Sequence, residues 1–207
     1  MSSEKIRYLA LGDSYTIGEG VRAEERWPAQ LAAALSQRGI VVDELTIVAQ
    51  TGWTTDELMA GIEQAAPQGP YDLVTLLIGV NNQYRGWDRE VYREEFRALL
   101  AQAIDFAGGR RDRVVVLSIP DWSVKAFATG RDRQQIAWEI DQFNAINRVE
   151  TGRAGARYVD VAPVSRGAQD DPGMTAEDGL HPSGAMYRLW ADLALPVVGA
   201  ALLERVR

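Results

Sequence analysis

Five short apolar runs, separated by stretches of helical periodicity, restrict this chain to an alternating β/α architecture. The runs are Ile6 to Leu11, Leu45 to Ala49, Tyr71 to Ile78, Val114 to Ile119 and Arg157 to Val161. Each is too short for a core helix and suits a strand. The third is almost continuously apolar, as a strand buried on both faces requires. Between the runs lie helix signals. Pro28 sits in the first turn of a helix with Leu31, Ala34 and Leu35 on its stripe, and Gly39 stops it. Thr54 and Glu57 form a capping box for a helix to about Ala66, with Trp53 placed to staple onto Leu58. Asp88 caps a helix carrying Tyr92, Phe96, Leu99, Leu100 and Ala103 on one face, and Ile136, Ile140, Phe143, Ile146 and Val149 space a longer one. The last helix opens at Pro182, buries Met186, Leu189, Trp190 and Leu193, and is kinked or interrupted by Pro196. The alternation predicts a flavodoxin-like three-layer α/β/α fold: a five-stranded parallel sheet in the order 2-1-3-4-5, as one domain over residues 1–207. Ala162 to Leu180 reads as a long irregular segment.

Composition removes several classes of function. A net charge of −7 with no Lys/Arg-rich run argues against nucleic acid as a partner. Without cysteine there are no disulfides, Fe–S clusters or thiolate zinc sites, and a single histidine, His181, excludes multi-histidine metal sites. No metal is expected. No run approaches the roughly 20 apolar residues of a membrane span, and the N-terminal run is too short for a secretory signal. A cytoplasmic location is the expectation.

The chemistry gathers where strands end. The first run stops at Gly12-Asp13-Ser14, which places a hydroxyl at the carboxyl edge of the sheet, where open α/β sheets bind ligands. Gly52 follows the second strand, Asn81 the third, and Asp178 and His181 lie beyond the fifth, so residues distant in sequence converge on one edge. A serine hydroxyl needs a base to attack at neutral pH. His181 is the one side chain whose ordinary pKa of about 6.5 suits that role. Asp178, three residues earlier, can accept the other imidazole N–H, and Gly179 lets the backbone curl between them. The Ser14 and Gly52 backbone N–H groups and the Asn81 carboxamide can meet an oxyanion. Taken singly, Ser14 and Asp13 also suit a turn or N-cap, Gly52 a turn and Asn81 a cap.

These blocks resemble the GDSL, or SGNH, hydrolases. The first block corresponds to Gly12-Asp13-Ser14, with Tyr15 where leucine is usual, and the second to Gly52. The third corresponds to Gly79-Val80-Asn81, with Asn82 in place of aspartate, and the last to Asp178 through His181. The resemblance covers most of the chain. It implies Ser14 as nucleophile, His181 as base, Asp178 as its orienter, an oxyanion hole from Ser14, Gly52 and Asn81, and no cofactor. The Asn82 departure touches hydrogen bonding behind the site, and Tyr15 the shape of the pocket.

Two other classes fit less well. The nucleophile elbow of α/β-hydrolases, Gly-x-Ser-x-Gly, is incomplete, because Thr16 follows Tyr15. A nucleotide- or small-ligand-binding flavodoxin-like module would need a glycine-rich phosphate loop, and Gly18-Glu19-Gly20 lacks its third glycine at Ala23. The expected partner is a small-molecule ester: a carboxylic ester of a small or lipid-like substrate, or, within the same fold, an O-acetylated carbohydrate or thioester. Tyr15, Trp53, Tyr84 and Trp122 are pocket candidates, with Trp87 and Phe127 nearby, and Arg85 and Lys125 are candidates to meet an acidic head group. Nothing in the sequence specifies an oligomeric state.

Overall fold

The computed structural model describes residues 4–167 and 170–203. Its five strands are β1 (Glu4–Gly12), β2 (Ile40–Ala49), β3 (Leu73–Leu77), β4 (Val114–Leu117) and β5 (Arg157–Val159). Eight α-helices accompany them among the described residues. They are α1 (Ser14–Ile17), α2 (Trp27–Gln37), α3 (Thr55–Ala65), α4 (Val80–Tyr84), α5 (Arg89–Phe106), α6 (Arg133–Ala154), α7 (Ala162–Gly167) and α8 (Gly184–Leu203). The strands pair in parallel in the order β2-β1-β3-β4-β5, as the alternation predicts. Chain direction across the sheet reverses at β1. Right-handed crossovers therefore put α2 on one face with α8, and α3, α5 and α6 together on the other.

Burial explains which boundaries were legible. Every residue of β3 and β4 is buried, so both read as apolar runs. The edge strand β2 begins at Ile40, five residues before its apolar stretch, because an edge accommodates charge. Its Asp43 pairs with Lys5 at 2.8 Å and its Glu44 with Arg7 at 2.8 Å, across a register shift between Ile6 and Arg7. The Ala162 to Leu180 segment is not wholly irregular: it contains α7 and a 3₁₀ turn at Pro172–Met174. Pro196 does not interrupt α8, which continues to Leu203. The carbonyl it frees belongs to Asp192, on the exposed side of the helix, where water can satisfy it.

Two helices bury a different stripe from the one their spacing predicts. Val149 and Leu193 are 45% and 42% exposed, whereas Asn147, Glu150 and Tyr187 are buried in their helices. Asn147 accepts the Tyr92 hydroxyl at 2.6 Å, and Glu150 accepts Arg93 at 2.9 Å, so polar anchoring replaces part of the apolar stripe. The indole of Trp53 lies on Gly61, one turn beyond Leu58, where a Cβ would come within 2.1 Å of the ring. By length and composition α8 could cross a membrane. In this fold its apolar surface packs on α2, with Met186, Tyr187 and Trp190 fully buried.

At the end of β1, a Cβ on Gly12 would stand 2.2 Å from Thr16 Oγ1 and 2.5 Å from the Leu77 carbonyl oxygen. The backbone of β3 and the first turn of α1 leave no room. Gly12→Ala is therefore expected to cost about 3 kcal/mol and to lower Tm by roughly 10 °C, read by thermal unfolding. An unchanged Tm would contradict the close approach.

Candidate active site

Asp13 organises the first block. It is the N-cap of α1, and its Oδ1 accepts the Tyr15 N–H at 3.0 Å, which turns the chain sharply and leaves Ser14 as the first helical residue. The Ser14 N–H, in the first turn, has no intrahelical partner and is free to donate. Asp13 is fully buried and its Oδ2 has no partner among the described residues; burial pushes its carboxyl up to about 7 against the pull of the Tyr15 N–H. Tyr15, also buried, sets its ring edge against the His181 ring at 5.8 Å and against Trp190 at 5.9 Å. The tyrosine thus walls the site from below.

His181 and Asp178 are joined directly. His181 Nδ1 lies 2.5 Å from Asp178 Oδ2, while Asp178 Oδ1 accepts the backbone N–H groups of Leu180 and His181, both at 2.9 Å. Gly179, at φ +72°, supplies the left-handed turn that this loop needs. Burial opposes the Asp178 charge, but the imidazole, the two backbone N–H donors and the imidazole charge together hold its carboxyl below the usual range. An ionised Asp178 can only accept, so neutral His181 carries its proton on Nδ1 and offers the Nε2 lone pair.

Ser14, Gly52, Asn81 and His181 line one cavity of about 180 Å³. The Ser14 hydroxyl makes no hydrogen bond to another described residue, so it and His181 share the cavity without a direct bond. Such contacts commonly tighten when substrate binds. The Gly52 N–H has no acceptor among the described residues, and Asn81 spends one N–H of its carboxamide on the Trp53 carbonyl at 2.9 Å. Three donors thus stand beside a hydroxyl and a base, an arrangement able to carry acyl transfer.

Of the pocket candidates, Tyr15, Tyr84 and Trp122 line this cavity, joined by Phe127. Trp53 does not; its ring is spent on Gly61. Thr51, Val80 and Leu180 complete the lining and carry no sequence signal beyond adjacency to Gly52, Asn81 and His181. Tyr84, Trp122 and Phe127 contact one another with centroids 5.7 to 6.2 Å apart. Over all three rings sits Arg131, at 5.1, 5.7 and 5.2 Å, with Nη2 donating to the Tyr84 hydroxyl at 3.0 Å. Trp122 is fixed through Nε1 to Gln83 at 2.8 Å.

The two cations proposed for an acidic head group are otherwise engaged. Arg85 holds the Gly52 carbonyl and Glu57, and Lys125 is buried, donating to Thr175 Oγ1 at 2.9 Å and the Met174 carbonyl at 3.4 Å. Asn82, in place of the family aspartate, has a partner for each end of its amide: Oδ1 accepts Thr55 N–H at 3.2 Å and Nδ2 donates to Thr55 Oγ1 at 2.7 Å. Thr55 Oγ1 in turn donates to Glu95. The amide thereby ties α4 to the start of α3. Among the described residues, no group of three or more His, Cys, Asp or Glu side chains is gathered to hold a metal ion.

Residues 10–189 match the family model of the GDSL-like lipase/acylhydrolases, a span that runs from β1 through His181 into α8. The chain belongs to this family. A curated arylesterase from Vibrio mimicus is 30% identical over 102 residues, which is 48% of each chain, so the match spans about half the length of that relative. Solved structures are similar over nearly their whole length. An acetylxylan esterase from Geobacillus stearothermophilus has a TM-score of 0.72 at 19% identity, covering 99% of this chain and 100% of that one. A lipolytic protein of the G-D-S-L family from Veillonella parvula has a TM-score of 0.70 at 18% identity, covering 93% and 98%. At these identities the structural likeness establishes the fold that this GDSL-family chain shares with them.

Proposed function

We propose that this chain is a serine hydrolase that cleaves carboxylic esters through an acyl-enzyme on Ser14. The observation that carries the reading is His181, bound to Asp178 at 2.5 Å and lining the same cavity as Ser14. His181 Nε2 takes the Ser14 proton as Oγ attacks the ester carbonyl carbon, and the carbonyl π pair moves onto oxygen. The Ser14 and Gly52 N–H groups and the Asn81 carboxamide receive that oxyanion. As it collapses, the bond to the alcohol oxygen breaks and His181 returns the proton to the leaving group. Water, activated by the same imidazole, then attacks the acyl-enzyme, releases the acid and restores Ser14. Asp178 stabilises the imidazolium at both stages.

The cleft wall built from Val80, Tyr84, Trp122, Phe127 and Leu180 suits a short to medium acyl chain or a flat aryl group. The name of the Vibrio mimicus relative is in keeping with aryl esters. Carbohydrate O-acetyl esters and thioesters need the same centre and differ only in the leaving group. Hydrolysis of p-nitrophenyl esters from acetate to decanoate is expected to give kcat/KM highest among the shorter chains and declining towards decanoate. A flat profile would refute the pocket assignment, and absence of turnover across the series would refute the ester reading.

A further inference from the structure

The loop between β2 and α3 carries Gly52, and two successive carbonyls of that loop are gripped from α4 and its C-cap residue, Arg85. Arg85 Nη2 donates to the Gly52 carbonyl at 2.7 Å, and Asn81 Nδ2 donates to the Trp53 carbonyl at 2.9 Å. Asn81 and Arg85 are one helical turn apart, joined by an Arg85 N–H to Asn81 carbonyl bond of 3.0 Å, so their side chains leave the same side of the helix. The other arm of the guanidinium reaches Glu57 Oε1 at 3.3 Å, and Glu57 Oε2 accepts the Thr54 N–H at 2.9 Å. One planar fork therefore spans the loop from Gly52 to the cap of α3.

That grip bears on a soft point. Gly52 has φ +86°, a region in which glycine has neighbouring basins of similar energy. Within the loop the Gly52–Trp53 peptide is held by one long turn bond, from the Trp53 N–H to the Gln50 carbonyl at 3.3 Å, and Arg85 grips the carbonyl end of that same peptide. The Arg85–Glu57 contact alone gives little reason for the arrangement, since both side chains are about 40% exposed and a pair of that kind contributes little to stability. The bond to a backbone carbonyl next to an oxyanion donor is a different matter. We propose that Arg85 is a positioning residue for the oxyanion hole, fixing the Gly52 backbone so that its N–H faces the cavity before substrate arrives. The inference rests on the ester-hydrolase reading of the same site. Its basis is preorganisation: donors aimed in advance at the developing charge need no rearrangement during reaction, and small misplacements cost rate steeply.

The test compares Arg85→Met, which keeps length and removes every donor, with Arg85→Lys, which keeps one, on p-nitrophenyl acetate. Arg85→Met is expected to lower kcat by about 10- to 100-fold with KM changed less than about twofold. Arg85→Lys is expected to fall between it and the wild type. The rate at which a fluorophosphonate modifies Ser14 should fall in parallel, because the phosphoryl oxygen occupies the same hole. An active wild type with kcat of Arg85→Met unchanged, or with the loss confined to KM, overturns the positioning role and leaves the ester reading standing. So does an equal loss in both variants that follows a fall in Tm. A wild type inert towards both ester and fluorophosphonate overturns the ester reading and this inference with it.

Discussion

Ser14→Ala is expected to abolish ester turnover, with kcat falling on the order of 10⁵-fold or more, equivalent to about 7 kcal/mol of transition-state stabilisation. The size follows from what is removed. Without Oγ no acyl-enzyme forms, and what remains is water attack aided by the oxyanion donors and by binding in the cleft. The fold should be indifferent to the change. The hydroxyl makes no hydrogen bond to another described residue, and the cap on α1 comes from Asp13 to the Tyr15 N–H. Tm is therefore expected within a few degrees of the wild type, so lost activity reads as lost chemistry. Fluorophosphonate labelling should vanish in the variant and map to Ser14 in the wild type. Substantial turnover by Ser14→Ala would mean that the bond-making group is another residue.

The sheet order was legible because buried parallel strands leave short apolar runs, and the longer apolar stretch at the end of the chain belongs to α8. β3 and β4 are buried at every position, and their runs located them within two residues. Legibility failed where burial is partial. The first half of β2 carries Asp43 and Glu44 because an edge strand can hold them, and α7 is too short for any periodicity to show. The convergence of Ser14, Gly52, Asn81 and His181 on one cavity was readable because strand ends in a parallel sheet share one edge, so position along the chain already implies it. Side-chain direction was not readable in the same way. Trp53 sits beside Gly52 in sequence, yet its ring turns onto Gly61 of α3. Arg131 reaches the aromatic wall from outside every motif, and only the folded chain stacks it over Tyr84, Trp122 and Phe127. Lys125, a candidate to meet an acidic head group, is instead buried as a strap from the Trp122 loop to the loop that carries Asp178.

Asp178→Asn is expected to lower kcat by about 10⁴-fold although it changes one oxygen to an NH₂. The direction of the effect comes from the backbone around the carboxylate. Oδ1 is fixed by two N–H donors, from Leu180 and His181, and only an oxygen can accept both. An asparagine amide must therefore place its oxygen there and its NH₂ where Oδ2 now faces His181 Nδ1. Nδ1 then has to accept, the imidazole proton moves to Nε2, and the lone pair meant for Ser14 is gone. Asp178→Ala, which imposes no tautomer, is expected to be no more damaging than the isosteric change. Because His181 is the only histidine in the chain, its ring nitrogens can be read by ¹⁵N NMR without assignment. The wild type should show the Nδ1–H form when neutral and Asp178→Asn the Nε2–H form. An Nε2–H tautomer in the wild type would refute the orienting role. Stability supplies an independent sign. A carboxyl held below its ordinary pKa stabilises the fold above the ordinary carboxylate range and loses that contribution as pH falls through its depressed value. Asp178→Asn should accordingly be less stable than the wild type at neutral pH, and the gap should close below about pH 4. Asp178 is partly exposed, so that gap is expected to be small beside the loss of rate, and the two readouts separate the carboxylate's part in catalysis from its part in the fold.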